Sequence, residues 1–198
     1  QYGNRRHNGT RWVAIPATFD GLDIPEIPEA APSALFRILT SDATGQDVAT
    51  AQPWFPTLGA VTVDADTTYL FEGQLIFTRT AGTTAHMTSI LGGGTAAPAA
   101  AVLYQTLCPA DDTGAGTPTM TWNNNVSAVW QIKASSTSAT EVVNLHIRGL
   151  VRTNTAGTFI PQFQFSAAPG GAPTIRTNTY FMLTPLGTGT LASQGPWA

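Results

Sequence analysis

Three runs of alternating apolar and polar residues in the last third of the chain constrain its fold most strongly. They cover residues 143–151, 159–165 and 179–183. Segments rich in Gly, Pro and Asn separate them, at 154–157 and 168–173. Because successive side chains of a strand point to opposite faces, a period of two bounded by turn residues indicates β-strands joined by short connections. The sequence therefore predicts an antiparallel β domain.

The preceding part of the chain continues this pattern. Further strands are predicted at 34–40, 61–63, 68–78, 86–91, 99–107 and 126–132, with Gly92-Gly93-Gly94 ending the fourth of these and a long loop at 41–58. In the run at 68–78, one face carries Tyr69, Phe71, Leu75 and Phe77, and the other carries Leu70, Glu72, Gln74, Ile76 and Thr78. Roughly eight to ten strands, with a turn about every eight to twelve residues, are typical of a β sandwich or barrel.

Charged residues are scarce. They make up 11% of the chain, against about 25% in an average globular protein. Hydrophobic residues reach 42% and the net charge is −3, so the composition is not that of a disordered chain. A weakly charged surface favours contact with other subunits, because the centres of interfaces are depleted in charge. The same charge balance offers no electrostatic footprint for nucleic acid, and no run approaches the roughly 20 apolar residues needed to cross a bilayer.

Residues 1–33 differ from the rest and are predicted to form an extended, Pro-rich N-terminal arm, followed by the β domain at 34–198. Pro16, Pro25, Pro28 and Pro32 each push the preceding residue towards extended geometry. The apolar residues of the arm indicate that it lies along a partner surface and anchors the protein, and they are Trp12, Ile15, Phe19, Leu22, Ile24 and Ile27. A disordered leader is the alternative. The chain begins with Gln1 rather than Met, which is typical of a processed chain or a fragment.

The sequence contains no arrangement that predicts catalysis, a metal or a cofactor. Cys108 is the single cysteine, which excludes an intrachain disulfide and is typical of a small buried side chain. The three histidines are far apart in sequence and lack zinc-ligand spacing, although His86 and His146 could meet across a sheet. The acidic pairs at 64–66 and 111–112 are typical of turns. We therefore predict that the protein is not an enzyme.

One segment has the composition of a ligand-binding loop, namely Trp122, Asn123, Asn124 and Asn125. An exposed aromatic ring beside several amides can stack on a sugar and hydrogen-bond its hydroxyl groups. The alternative is a tryptophan inside the core beside an asparagine turn.

Several segments together resemble the distal domains of virion proteins from tailed bacteriophages, such as head fibres, tail fibres and capsid decorations. These are Thr68-Tyr69-Leu70-Phe71-Glu72-Gly73-Gln74-Leu75-Ile76-Phe77, then 147–154, 157–163, Tyr180-Phe181-Met182-Leu183-Thr184-Pro185-Leu186-Gly187 and the final Gly195-Pro196-Trp197-Ala198. The resemblance spans about 60–198 and consists of diffuse patterns. It implies a jelly roll of the tumour-necrosis-factor and C1q class that forms a homotrimer, and it carries over no functional residues.

The expected protein is thus a structural virion component with an antiparallel β sandwich. Its arm would anchor it to other capsid or tail proteins, its β domain would form a homotrimer, and its loops would contact the host surface. A carbohydrate-binding β-sandwich module is the alternative function, with a host surface glycan as its ligand.

Overall fold

A computed structural model describes residues 5–7, 12–14, 34–57, 59–79, 86–96, 98–108, 119–123, 130–136 and 139–188. The chain divides into two units, 1–32 and 33–198. In the first unit, Arg5–His7 (β1) and Trp12–Ala14 (β2) form an antiparallel pair in which His7 lies opposite Trp12. The sequence did not predict these two strands, because three residues are too few to show a period of two.

Every regular element described in the second unit is a β-strand, and every recorded pairing is antiparallel. The strands are β3 (Leu35–Ile38), β4 (Ala43–Thr44), β5 (Gln52–Pro53), β6 (Val61–Val63), β7 (Thr67–Thr78), β8 (His86–Gly93), β9 (Pro98–Cys108), β10 (Thr119–Asn123), β11 (Trp130–Ser136), β12 (Val142–Thr153), β13 (Gly157–Phe165), β14 (Thr174–Ile175) and β15 (Tyr180–Thr188). The described part of this unit is therefore all-β, as the sequence predicts.

Strand β7 is the centre of an eight-stranded sheet. One of its edges pairs with β12, which continues through β9 to β10. Its other edge is shared by two strands: residues from Thr67 to Gln74 pair with β15, and Phe77 and Thr78 pair with β14. Strand β3 then pairs with β15, and β4 pairs with β14. The chain thus uses its last described strand to complete the sheet around its longest early strand.

Strand β13 organises the second, five-stranded sheet. Its residues from Ile160 to Phe165 pair with β8, which in turn pairs with β11. The opposite edge of β13 is shared by β6 and β5. In each sheet, one strand shares one of its edges between two partners.

Aromatic rings from the two sheets interlock between them. Phe77 of the first sheet stacks on Phe163 of the second, with ring centroids 5.2 Å apart, and it meets Phe165 edge-on at 5.8 Å. Phe181 of the first sheet stacks on Phe159 of the second at 5.9 Å. Aromatic pairs of this kind contribute beyond the area that they bury. The packing of two antiparallel sheets through their inner faces defines a β sandwich.

The alternation predicted from the sequence is confirmed in β7. Its odd-numbered residues from Tyr69 to Phe77 are buried, whereas the even-numbered residues from Leu70 to Thr78 are half-buried on the outer face. The same alternation continues in β12, β13 and β15. One hydrophobic core therefore forms between the sheets, and its buried members include Trp54, Leu75, Leu145, Ile175 and Leu183.

Three details differ from the sequence-based prediction. The segment 41–58 contains the short strands β4 and β5, and its Trp54 is fully buried against Phe181. Gly92 and Gly93 are the last two residues of β8 and pair with β13, whereas the sequence predicted that the strand ends at Leu91. The chain leaves the strand at Gly94, whose φ of 108° suits glycine. The described strands outnumber the expected eight to ten, because two-residue strands have no detectable period.

Candidate assembly surface

Strand β3 forms an edge that is exposed on both of its faces. Leu35, Phe36, Arg37 and Ile38 are all exposed, although three of the four are large and apolar. The strand pairs with β15 on one side, and among the described residues no strand pairs with its other side. An exposed apolar edge strand is a template for contact with another chain. The edge at β3 is therefore the candidate surface for contact with another chain.

On the outer face of the sheet, β3 and β15 present four adjacent side chains, which we call the β3 strip. They are Phe36, Ile38, Tyr180 and Met182. Phe36 lies opposite Met182, and Ile38 lies opposite Tyr180. The rings of Phe36 and Tyr180 are 6.0 Å apart, while Phe36 remains 58% exposed. A contiguous apolar strip on an open sheet face is typical of a protein–protein contact.

Polar side chains continue the outer face next to the β3 strip. The hydroxyl of Tyr180 donates a hydrogen bond to Glu72 Oε1 at 3.3 Å, and Gln74 Nε2 donates to Asn144 Oδ1 at 2.9 Å. Burial, the charge of Glu72 and this hydrogen bond together raise the pKa of the Tyr180 phenol above its usual value. Tyr180 therefore stays protonated at neutral pH. The two bonds also hold these side chains in place, which reduces the entropy lost on binding a partner.

Beneath the inner face of β3 lies a cleft of about 270 Å³. Its lining is apolar apart from one charged side chain, and comprises Leu35, Phe36, Arg37, Phe55, Gly59, Ala60, Val61, Pro161, Phe181 and Leu183. The cleft lies between the two sheets, since β3 and β15 line one side of it and β6, β13 and the segment 55–60 line the other. The sequence did not predict this site. The one signal for it in the sequence is that apolar residues occur on both faces of the strand at 35–38, whereas a half-buried strand carries them on one face only.

The sequence-predicted ligand segment is described in part. Trp122 and Asn123 are the last two residues of β10, and Trp122 pairs with Gln105 of β9. Gln105 pairs with Arg148, which pairs with Glu72 and, through β15, with Met182. Trp122 therefore belongs to the same register row of the sheet as these residues. Asn124 and Asn125 lie outside the described residues.

Of the anchoring residues predicted in the arm, the structure describes only Trp12. Trp12 is the first residue of β2. The others, Ile15, Phe19, Leu22, Ile24 and Ile27, lie outside the described residues. Their role as an anchor stays a prediction, as does the domain boundary at residue 33.

The two histidines that could have met across a sheet do not share one. His86 is in β8 of the five-stranded sheet, opposite Ser136, whereas His146 is in β12 of the eight-stranded sheet, opposite Gln74. Within the described residues, no group of three or more His, Cys, Asp or Glu side chains is close enough to hold a metal ion. In the same residues, no helix is long and apolar enough to cross a membrane.

Comparison with known proteins does not assign a family. No protein-family model and no curated protein matches the chain. Two similar solved chains come from infectious bursal disease virus. The match to the chain from the Gx strain has 13% identity and a TM-score of 0.19, and it covers 92% of this chain and 48% of that chain. The match to the chain from the Gt strain has 13% identity and a TM-score of 0.17, and it covers 90% of this chain and 50% of that chain. This chain spans about half the length of each, and similarities of this size establish neither a shared fold nor a shared function.

Proposed function

We propose that this chain is a structural subunit of a bacteriophage particle, as a head or tail fibre or a capsid decoration. Its β sandwich, a jelly roll of the tumour-necrosis-factor and C1q class, associates into a homotrimer, and residues 1–33 attach it to other virion proteins. Its exposed loops meet the host surface, and the protein has no enzymatic activity. The resemblance of residues 60–198 to phage virion domains supports the virion role.

The observation that carries the proposal is the β3 strip. Phe36 and Ile38 are exposed at the edge of a sheet, next to the half-buried Tyr180 and Met182. Removing one large apolar side chain of this kind from water contributes about 1.5–3 kcal/mol. Three copies that each cover the strip of a neighbour would gain that contribution several times, while the scarcity of charge keeps the desolvation penalty low.

The mass of the full chain in solution tests this proposal. We expect light scattering on a size-exclusion column to give three times the chain mass of 20.8 kDa. The variant Phe36→Asp places a charge in the strip and should shift the mass towards the monomer, whereas Phe36→Tyr keeps the ring and should remain assembled. A monomeric wild type at high protein concentration would contradict the proposal, as would a Phe36→Asp variant that stays trimeric.

A carbohydrate-binding module is the second candidate function, and the register of β10 favours it. Trp122 shares a register row of the sheet with Gln105, Arg148 and Glu72. A row that combines an aromatic residue with charged and hydrogen-bonding residues suits a sugar ring with its hydroxyls. A glycan array should then give a specific hit that Trp122→Ala abolishes while the circular dichroism spectrum is unchanged. A blank array would dismiss this candidate.

A further inference from the structure

We propose that the cleft beneath β3 binds residues 20–29 from a neighbouring copy of this chain. This inference rests on the proposed function, since it requires that copies associate. It goes further in naming which segment of one copy is held by the next. Each subunit would then donate a segment and accept one.

The cleft has the chemistry of a peptide site. Its walls are apolar, and its volume of about 270 Å³ is below the roughly 300 Å³ at which pockets for small molecules begin. It can therefore take a few side chains rather than a whole cofactor. Strand β3 forms its rim, and the side of β3 away from β15 has no partner among the described strands. An extended peptide can add to such an edge through its backbone while its side chains enter the cleft.

Arg37 supplies the charge that selects the peptide. It lines the cleft and is exposed. Among the described residues its guanidinium group has no ion pair or hydrogen bond, in contrast to those of Arg79, Arg152 and Arg176, which each lie beside an acidic side chain. An arginine at the mouth of an apolar site favours a ligand that carries a carboxylate next to an apolar group.

Residues 20–29 have the complementary composition. The segment carries four acidic residues and no basic one, and its acidic and apolar members alternate irregularly as Asp20, Leu22, Asp23, Ile24, Glu26, Ile27 and Glu29. Pro25 and Pro28 favour an extended backbone in the residues before them. An extended segment can enter the cleft with an isoleucine and leave a neighbouring carboxylate at Arg37. Charge complementarity of this kind sets the register of a contact and its specificity.

A neighbouring copy is the source that we propose, rather than the same chain. Pro32 stands three residues before Leu35, the first residue of β3, and the residue before a proline favours an extended conformation. An extended chain at Ala31 favours a connection that leads away from β3, which suits donation of the segment to another subunit.

Cross-linking between differently tagged full chains tests the source. Both carry Cys108→Ser; one also carries Ala60→Cys at the exposed side of the cleft, and the other carries Ile27→Cys. We expect a mixed disulfide-linked dimer that contains both tags after oxidation. A control pair replaces Ala60→Cys by Thr155→Cys, in the exposed β12–β13 turn, and should give little product. A chain that carries both cysteines and links only within itself would overturn the proposal.

Charge reversal tests the role of Arg37. Arg37→Glu should reduce the cross-linked product about tenfold, which corresponds to a loss of about 1.4 kcal/mol in binding free energy. Adding Glu26→Arg and Glu29→Arg to the donor should restore it. Arg176→Glu, which reverses another exposed arginine, should leave the yield unchanged. A trimeric protein without specific cross-linking, or without rescue, would overturn this inference alone, whereas a monomeric protein would overturn the proposed function as well.

Discussion

Arg79 and Glu141 carry opposite charges into the interior of the sandwich, just after β7 and just before β12. Their side chains form an ion pair and are 1% and 5% exposed, and the amide of Arg79 also donates to the carbonyl of Glu141 at 3.2 Å. Burial lowers the pKa of Arg79, and the adjacent Glu141 opposes that shift. Neither residue stood out in the sequence, because a buried pair of this kind depends on strand pairing between residues far apart in the chain.

Removing one charge of this pair should destabilise the protein strongly. We expect Glu141→Gln to lower the free energy of unfolding by about 3 kcal/mol, because it leaves a buried guanidinium without its counter-charge. Urea denaturation at a constant protein concentration measures the loss. The double variant Arg79→Met/Glu141→Leu is the matched control, and it should be more stable than Glu141→Gln because it buries no charge. Equal stability of Glu141→Gln and the wild type would show that the pair contributes little.

Among the elements, four of the longer strands, β7, β12, β13 and β15, were predictable from their alternation, and their partners were not. Alternation over five or more residues identifies a half-buried strand and both of its faces. The strands β4, β5 and β14 have two residues each, and a two-residue strand has no period to detect. The cleft at β3 was not predictable either, because its lining residues come from both sheets and are far apart in the chain. The sequence shows Gly73 in the middle of β7, but it does not show why a glycine is needed there.

Gly73 marks the point in β7 where two aromatic rings reach the backbone. A Cβ atom there would lie 2.9 Å from Phe181 and 2.9 Å from Trp54. We therefore expect Gly73→Ala to reduce the free energy of unfolding by about 1–3 kcal/mol through overpacking. Thermal unfolding followed by near-ultraviolet circular dichroism reports on both the loss and the packing of Trp54.

The variant Phe181→Leu provides a control for this prediction. It removes one of the two rings, so that combining it with Gly73→Ala should cost less than the sum of the two single changes. Additive losses would indicate that the alanine methyl group does not collide with Phe181.

At the scale of the whole molecule, the main feature of the surface is its scarcity of charge. With 11% charged residues, the second unit presents an outer sheet face on which half-buried apolar and amide side chains predominate. Low charge and period-two patterning were sufficient to predict an antiparallel sandwich. They were insufficient to locate the exposed apolar residues of the β3 strip, since position in the sheet decides which apolar residues stay exposed.

Assembly should make the thermal stability depend on concentration. If copies associate through the β3 strip, binding stabilises the folded chain by mass action, and the midpoint of unfolding should rise with protein concentration. Differential scanning calorimetry over a hundredfold range of concentration measures this. Phe36→Asp should remove the dependence, while Phe36→Tyr should retain it. A midpoint that is constant for the wild type would indicate that the subunits fold independently.

Strands β12 and β15 pair with opposite edges of β7, and both are synthesised long after it. Strand β15 closes one edge of β7 and also supplies the partner of β3, yet it is translated more than a hundred residues after them. A nascent polypeptide that stops before Tyr180 leaves both of those earlier strands with open hydrogen-bonding edges, which are prone to aggregation. The ribosome must therefore deliver nearly the full second unit before its larger sheet can close.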